Sequence, residues 1–336
     1  VLFPNILIRF FSPKAALSQS ELLIIFAMGL IAAMVPDWGM IRYLISVIAA
    51  PHYFASAENQ WEAHFFAYLP EWVVLPNDRN QVSYFFSGKP LGASIPWQDW
   101  IIPLFWWMSV FGVLFFIGAC LVVIFRKQWV ENERLRFPMG EVIIQLLETK
   151  GNNRDRFPEL FGKPMFRIGA VVSFSVMIWN IVGFWDIVPH IPLPGPVFNI
   201  VIDPAFPPIP IRLVPYVLCF AFFENVEILF SIVFFQIIGI VETGVLNRFG
   251  VISPASTIVP GGLVSIQFCG GLIMFSLIGC WMARAHLRNV LRKALGRQST
   301  LNDEDELFSY RIAVFGLILG LIFMMAWLTS IGFSIV

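Results

Sequence analysis

LVPYVLCFAFFENVEILFSIVFFQIIGIV, residues 213 to 241, sets Glu224, Asn225 and Glu227 inside one of the most apolar stretches of the chain. A carboxylate in hydrocarbon costs about 3 kcal/mol or more unless it faces protein, water or a cation. Ionisable groups at such a depth are therefore functional candidates. The tetrapeptide ENVE points to a pathway or binding site within a membrane.

The composition agrees. Of the 336 residues, 58% are hydrophobic, 16% aromatic and only 13% charged. Mean hydropathy is +0.76. Soluble domains carry about a quarter charged residues. The 35 Phe and 12 Trp suit lipid-facing surfaces and interfacial belts. A net charge of zero argues against nucleic acid as a partner. Cys120, Cys219, Cys269 and Cys280 all lie in apolar segments without metal-ligand spacing, and read as buried thiols. His52, His64, His190 and His286 are dispersed, so no metal site is expected. No phosphate-binding loop, zinc-protease helix or nucleophile elbow is present, so neither a catalytic site nor a cofactor is expected.

Five runs are long enough for ordinary spans at about 20 residues each: 21–50, 100–125, 165–187, 261–283 and 310–335. The first is interrupted by Val35-Pro36-Asp37-Trp38-Gly39, which predicts a discontinuous helix. Lys and Arg concentrate in 126–167 and 284–311, which places both in the cytoplasm. Residues 51–99 hold only Arg79 and Lys89, and 188–211 hold neither residue type, so both are expected outside. Between the outside segment 188–211 and the basic stretch from Arg284 an odd number of crossings is required. Two apolar runs lie there, 212–243 and 261–283. The simplest solution makes 212–243 re-entrant, with its tip near Phe223 to Glu227.

The expected architecture is an all-α polytopic integral membrane protein with discontinuous or re-entrant helices. It forms a single transmembrane domain over 1–336, with an external cap at 51–99, a cytoplasmic loop at 126–164 and an external proline-rich segment at 188–211. Trp97, Trp100, Trp106 and Trp107 mark the outer entry of the second span. Residues 139–149 read as an amphipathic surface helix, 282–297 as a basic helix and 301–306 (LNDEDE) as a solvated acidic linker. The chain lacks an initiating methionine and ends within a hydrophobic run, so a piece of a longer protein is expected.

Glu224 and Glu227 are three apart and would share a face on a helix, with Ser231 and Glu242 near the same stripe. Carboxylate and amide oxygens there suit cation coordination or proton relay, and a structural hydrogen-bonding node is the competing role. Asp37 either lines a cavity at a broken helix or caps a helix start. Asn180 and Gln267 are polar groups within spans, suited to lining the same cavity or to hydrogen bonding between helices.

Four pieces carry a family likeness: Arg126-Lys127-Gln128-Trp129-Val130-Glu131-Asn132-Glu133-Arg134-Leu135-Arg136-Phe137-Pro138, Tyr53 to Trp61 (YFASAENQW), Ile95 to Trp100 (IPWQDW) and Leu307 to Arg311 (LFSYR). With them the chain resembles an uncharacterised bacterial membrane-protein family related to the oligopeptide transporter superfamily. That resemblance implies a protein about twice this length, in the bacterial cytoplasmic membrane, with this chain as its amino-terminal half. It also implies movement of peptides or metal chelates on a proton gradient. It maps no motif onto Glu224 or Glu227. The resulting expectation is secondary transport of a small peptide-like or chelated solute, with the lipid bilayer, the solute, protons and the remainder of the chain or a second subunit as partners. A non-transporting scaffold subunit is the alternative and a membrane enzyme a third.

Overall fold

The computed structural model describes residues 2–12, 15–34, 43–135, 137–147, 158–193, 195–250 and 262–334. In chain order the helices are α1 (Leu2–Phe11), α2 (Gln19–Met34), α3 (Ile45–Phe54), α4 (Trp61–His64), α5 (Gln81–Ser87), α6 (Trp97–Lys127), α7 (Pro138–Leu147) and α8 (Pro164–Gly183). A short antiparallel hairpin follows, β1 (Phe198–Ile200) with β2 (Ile209–Ile211). Then come α9 (Pro215–Phe223), α10 (Val226–Arg248), α11 (Gly262–Met282), α12 (Arg284–Ala294) and α13 (Tyr310–Ser330). Two units divide the chain, 1–26 with 136–279 and 27–135 with 280–336. Among the described residues the protein is helical with almost no sheet.

Among the described residues, α6, α8, α10 and α13 are each long and apolar enough to cross a membrane, and α11 joined to α12 makes a fifth candidate. In the expected run 21–50 the described residues form α2, of 16 residues, and α3, of 10. At 1.5 Å per residue neither reaches across a core of about 30 Å. The interruption between them, with Asp37, lies outside the described residues.

In the second unit α6 and α13 pack along each other. Gly316 and Gly320 of α13 make the approach close: a Cβ on Gly316 would stand 2.7 Å from the Phe116 ring, and one on Gly320 would stand 2.6 Å from Ile117. This small-xxx-small spacing lets backbones meet where van der Waals packing, not water, drives association. The stripe Tyr310, Ala313, Gly316, Gly320 and Trp327 is buried along α13. The cap segment packs on α3 and the start of α6, in a shared core where Leu44, Ile48, Ala49, Leu75, Val82 and Trp100 are buried together.

At the basic end of this pair the acidic run 301–306 is not a solvated linker. Glu306 has only 1% of its side chain exposed. It accepts two hydrogen bonds from Arg126, at 2.7 and 2.8 Å. Lys127 donates to the Asn302 carbonyl, and Asp303 accepts from the Tyr310 backbone at 3.2 Å and pairs with Lys293 at 3.5 Å. The run folds back onto α6 and α12 because Glu306 finds its partners on α6 and Asp303 finds one on α12. His286 of α12 joins the same node, 2.8 Å from the Ile124 carbonyl.

Gly183 is the one buried residue of α8, and the rest of that helix presents apolar side chains outward, as a lipid-facing or partner-facing helix does.

Candidate functional site

The ENVE tetrapeptide lies at a helix break. α9 ends at Phe223, Glu224 and Asn225 are extended (ψ 156° and 136°), and α10 starts at Val226. Asn225 is the N-cap residue, and its carbonyl opens the new helix by accepting from Ile228 at 3.0 Å and Leu229 at 3.2 Å. The expected shared face is therefore corrected. Glu224 stands before the helix on extended backbone, and only Glu227 sits in its first turn. Both side chains are exposed, and among the described residues neither has an Arg or Lys partner.

Beyond the break the two arms differ. α9 has 9 residues and cannot cross, whereas α10 has 23, about 34 Å, and is long enough to cross alone. They do not pack along each other.

From Glu227, the positions 231, 235, 238 and 242 follow at intervals of three and four, so they form one stripe of α10. Facing α11, that stripe lines a groove of about 650 Å³. Its polar groups are Ser231, Gln236, Glu242 and Gln267, and Phe235, Phe268 and Phe275 supply aromatic walls. The groove lining stops at Ser231, one turn short of Glu227, and the Ser231 hydroxyl donates to the Glu227 carbonyl at 2.8 Å. At the other end the Gln267 side-chain amide donates to a Glu242 carboxylate oxygen. Glu227 and Glu242 thus stand about 22 Å apart along one helix face.

Of the residues expected to act together, Gln267 reaches this groove and Asn180 does not. Asn180 closes α8 onto the proline-rich segment instead: its carbonyl accepts from the Ile191 backbone at 2.9 Å, and its amide returns a bond to the Ile191 carbonyl at 3.0 Å. Trp179 donates to the Pro189 carbonyl at 2.9 Å beside it. Both ends of the Asn180 amide are spent on backbone. Glu242 is the functional candidate that the tetrapeptide had overshadowed, and its signal was an acidic residue on the Glu227 stripe.

The hairpin loop clasps the far end of α10. Asp203 accepts from Arg248 at 2.9 Å and from the Ala205 backbone at 2.9 Å. Asn247 donates to the Ala205 carbonyl at 2.8 Å. Phe206 lies flat on Gly244, where a Cβ would fall 2.1 Å from the ring, and the Arg248 guanidinium sits 5.5 Å from the same ring. The Ala205 backbone N–H, and then Arg248, hold the Asp203 carboxyl below the usual aspartate range. Gly244→Ala should push Phe206 off and loosen the loop, at a cost of about 1–3 kcal/mol. Limited proteolysis between 201 and 208 should then speed up several-fold, and an unchanged cleavage rate would show that the ring does not fasten the loop.

A further cavity of about 640 Å³ lies in the cap of the second unit, between His52, Phe66, Trp72 and the carboxylates of Glu71, Asp78 and Asp99. Gln81, 1% exposed, donates to Asp78 at 2.8 Å and Asp99 at 2.9 Å from one amide nitrogen. The Gln81 hydrogen bond is the main reason the Asp78 carboxyl lies below the ordinary range. Among the described residues no group of three His, Cys, Asp or Glu side chains could hold a metal ion.

Four to five candidate spans, a helix broken at two carboxylates and an aromatic-walled groove define a helical membrane protein. The chain belongs to the family of unknown function DUF6785, which it matches over residues 1–336. No curated protein and no solved structure matches it.

Proposed function

We propose that this protein is a secondary transporter of a small peptide-like or chelated solute, the role that the superfamily resemblance implies, and that protons are coupled through Glu224 and Glu227, an assignment that rests on their place in the apolar run and not on the resemblance. The single observation that carries the proposal is the helix break: extended backbone within an apolar segment, flanked by two carboxylates with no Arg or Lys partner among the described residues. Irregular backbone at membrane depth is tolerated where it is buried in protein or lines a water-filled cavity, and broken helices of this kind serve substrate and ion sites. The groove of α10 and α11 extends the site toward Glu242 and Gln267.

In this reading residues 212–243 form a re-entrant segment. The hairpin supports it. Its second strand runs through Arg212 into α9, while its loop holds Gly244, Asn247 and Arg248. Both ends of the segment thus attach to one structure, and the odd crossing required by the charges is left to α11. Glu242 then lies near the outer mouth and Glu227 at depth. A scaffold would need a basic partner on Glu224 and Glu227.

Proton-coupled uptake into proteoliposomes containing the full-length protein tests this. Glu227→Gln should lower flux at least about tenfold, since a neutral amide cannot exchange the proton; Glu224→Gln should lower it comparably. Unchanged flux in both variants removes the carboxylates from the mechanism.

A further inference from the structure

The outward face of α12 carries charge and grease on one surface. Arg284, Arg288 and Arg292 recur every fourth residue and are all exposed. On the same face Leu291 is 50% and Leu295 60% exposed. The opposite face, His286, Val290 and Ala294, is buried. That burial, the His286 bond to the Ile124 carbonyl and the Lys293–Asp303 pair fix which way the arginines point.

Two features of this face call for an external partner. Like charges four apart on a helix repel, and among the described residues none of the three arginines has a carboxylate partner. Half-exposed leucines between them would be costly in water. A soluble polyanion answers the charge and leaves the leucines wet. An anionic bilayer surface answers both, because arginine heads meet lipid phosphates while leucines enter the acyl boundary. The neighbouring Trp281 fits the same level: it is 70% exposed and lies 5.1 Å beneath the Arg284 guanidinium, which also donates to the Trp281 carbonyl at 2.9 Å.

We infer that α12 is an interfacial helix that docks on anionic phospholipid, with Arg284, Arg288 and Arg292 on the headgroup phosphates and Leu291 and Leu295 in the acyl boundary. The inference is independent of transport. Because α12 is bonded to the end of α6, lipid binding there also braces the node around Glu306.

The test uses the purified full chain in mixed micelles, titrated with phosphatidylglycerol or phosphatidylcholine carrying brominated acyl chains. The Trp281 signal is the difference between wild type and Trp281→Phe. Brominated phosphatidylglycerol should quench it at a concentration at least about tenfold lower than phosphatidylcholine. Arg288→Gln and Arg292→Gln should each raise that concentration about fivefold, the effect of about one charge at an anionic surface, with the thermal midpoint retained. Equal quenching by the two lipids would overturn the inference. So would quenching by neither, which would mean that protein covers this face, or displacement of both lipids by heparin.

Discussion

Arg126→Ala should lower the stability of the detergent-solubilised protein by about 3 kcal/mol, and it should do so more than Glu306→Ala. The asymmetry follows from burial. The Glu306 side chain is 1% exposed, whereas that of Arg126 is 39% exposed. Removing the guanidinium leaves a carboxylate sealed from water with only Lys127, 4.0 Å away, to offset it. Breaking a buried pair costs about 3–5 kcal/mol because of the uncompensated charge, and Lys127 brings the figure to the lower end. Removing the carboxylate instead frees an arginine that can turn to solvent, so the loss is closer to that of a half-exposed pair, about 1–2 kcal/mol. Arg126→Lys should fall between, since an ammonium cannot reproduce the two parallel bonds. Thermal midpoints of the three variants decide the matter. A Glu306→Ala loss equal to or larger than that of Arg126→Ala would mean that the carboxylate is wetter than its burial implies.

Much of this architecture was legible in the chain, and the failures share a cause. The spans at α6, α8 and α13 follow from apolar length alone. A turn near Phe223 to Glu227 was expected from the odd number of crossings that the Lys and Arg distribution requires. The local geometry there was not legible: Glu224 and Glu227 were expected on one helix face because they are three residues apart. The usable signal was Asn225, a residue type that favours the N-cap position. The acidic run 301–306 looked solvated because composition sees only neighbours, and its partner Arg126 is 180 residues away from Glu306. Asn180 is likewise decided by Ile191, on a segment whose fold back onto α8 no periodicity announces. The spacing of Gly316 and Gly320 was readable within α13, but a pair of small residues names no partner until α6 is beside it.

That pair supports the second large effect. Gly320→Ala should cost about 2–3 kcal/mol, and Gly316→Ala noticeably less, although the two clashes are nearly equal in distance. What differs is the freedom of the obstructing group. At Gly316 the added Cβ meets the Phe116 ring at 2.7 Å and the Cys120 sulfur at 3.2 Å. Phe116 is 39% exposed and can swing outward at little cost. At Gly320 it meets Ile117 at Cγ1, 2.6 Å, and Cδ1, 3.1 Å. Ile117 is 9% exposed and β-branched, with one strongly preferred rotamer on a helix, so the helices themselves must separate. In a bilayer no hydrophobic force pulls them back, because lipid tails are as apolar as the side chains, and lost van der Waals contact is lost outright. Shortening the obstacle should therefore rescue the variant. Ile117→Ala destabilises alone by leaving a cavity, yet with Gly320→Ala the added methyl occupies part of that space. The double variant should be more stable than the sum of the single losses by at least about 1 kcal/mol, measured by thermal or SDS-induced unfolding in detergent. Strict additivity of the two changes would mean that α6 and α13 do not meet at this point.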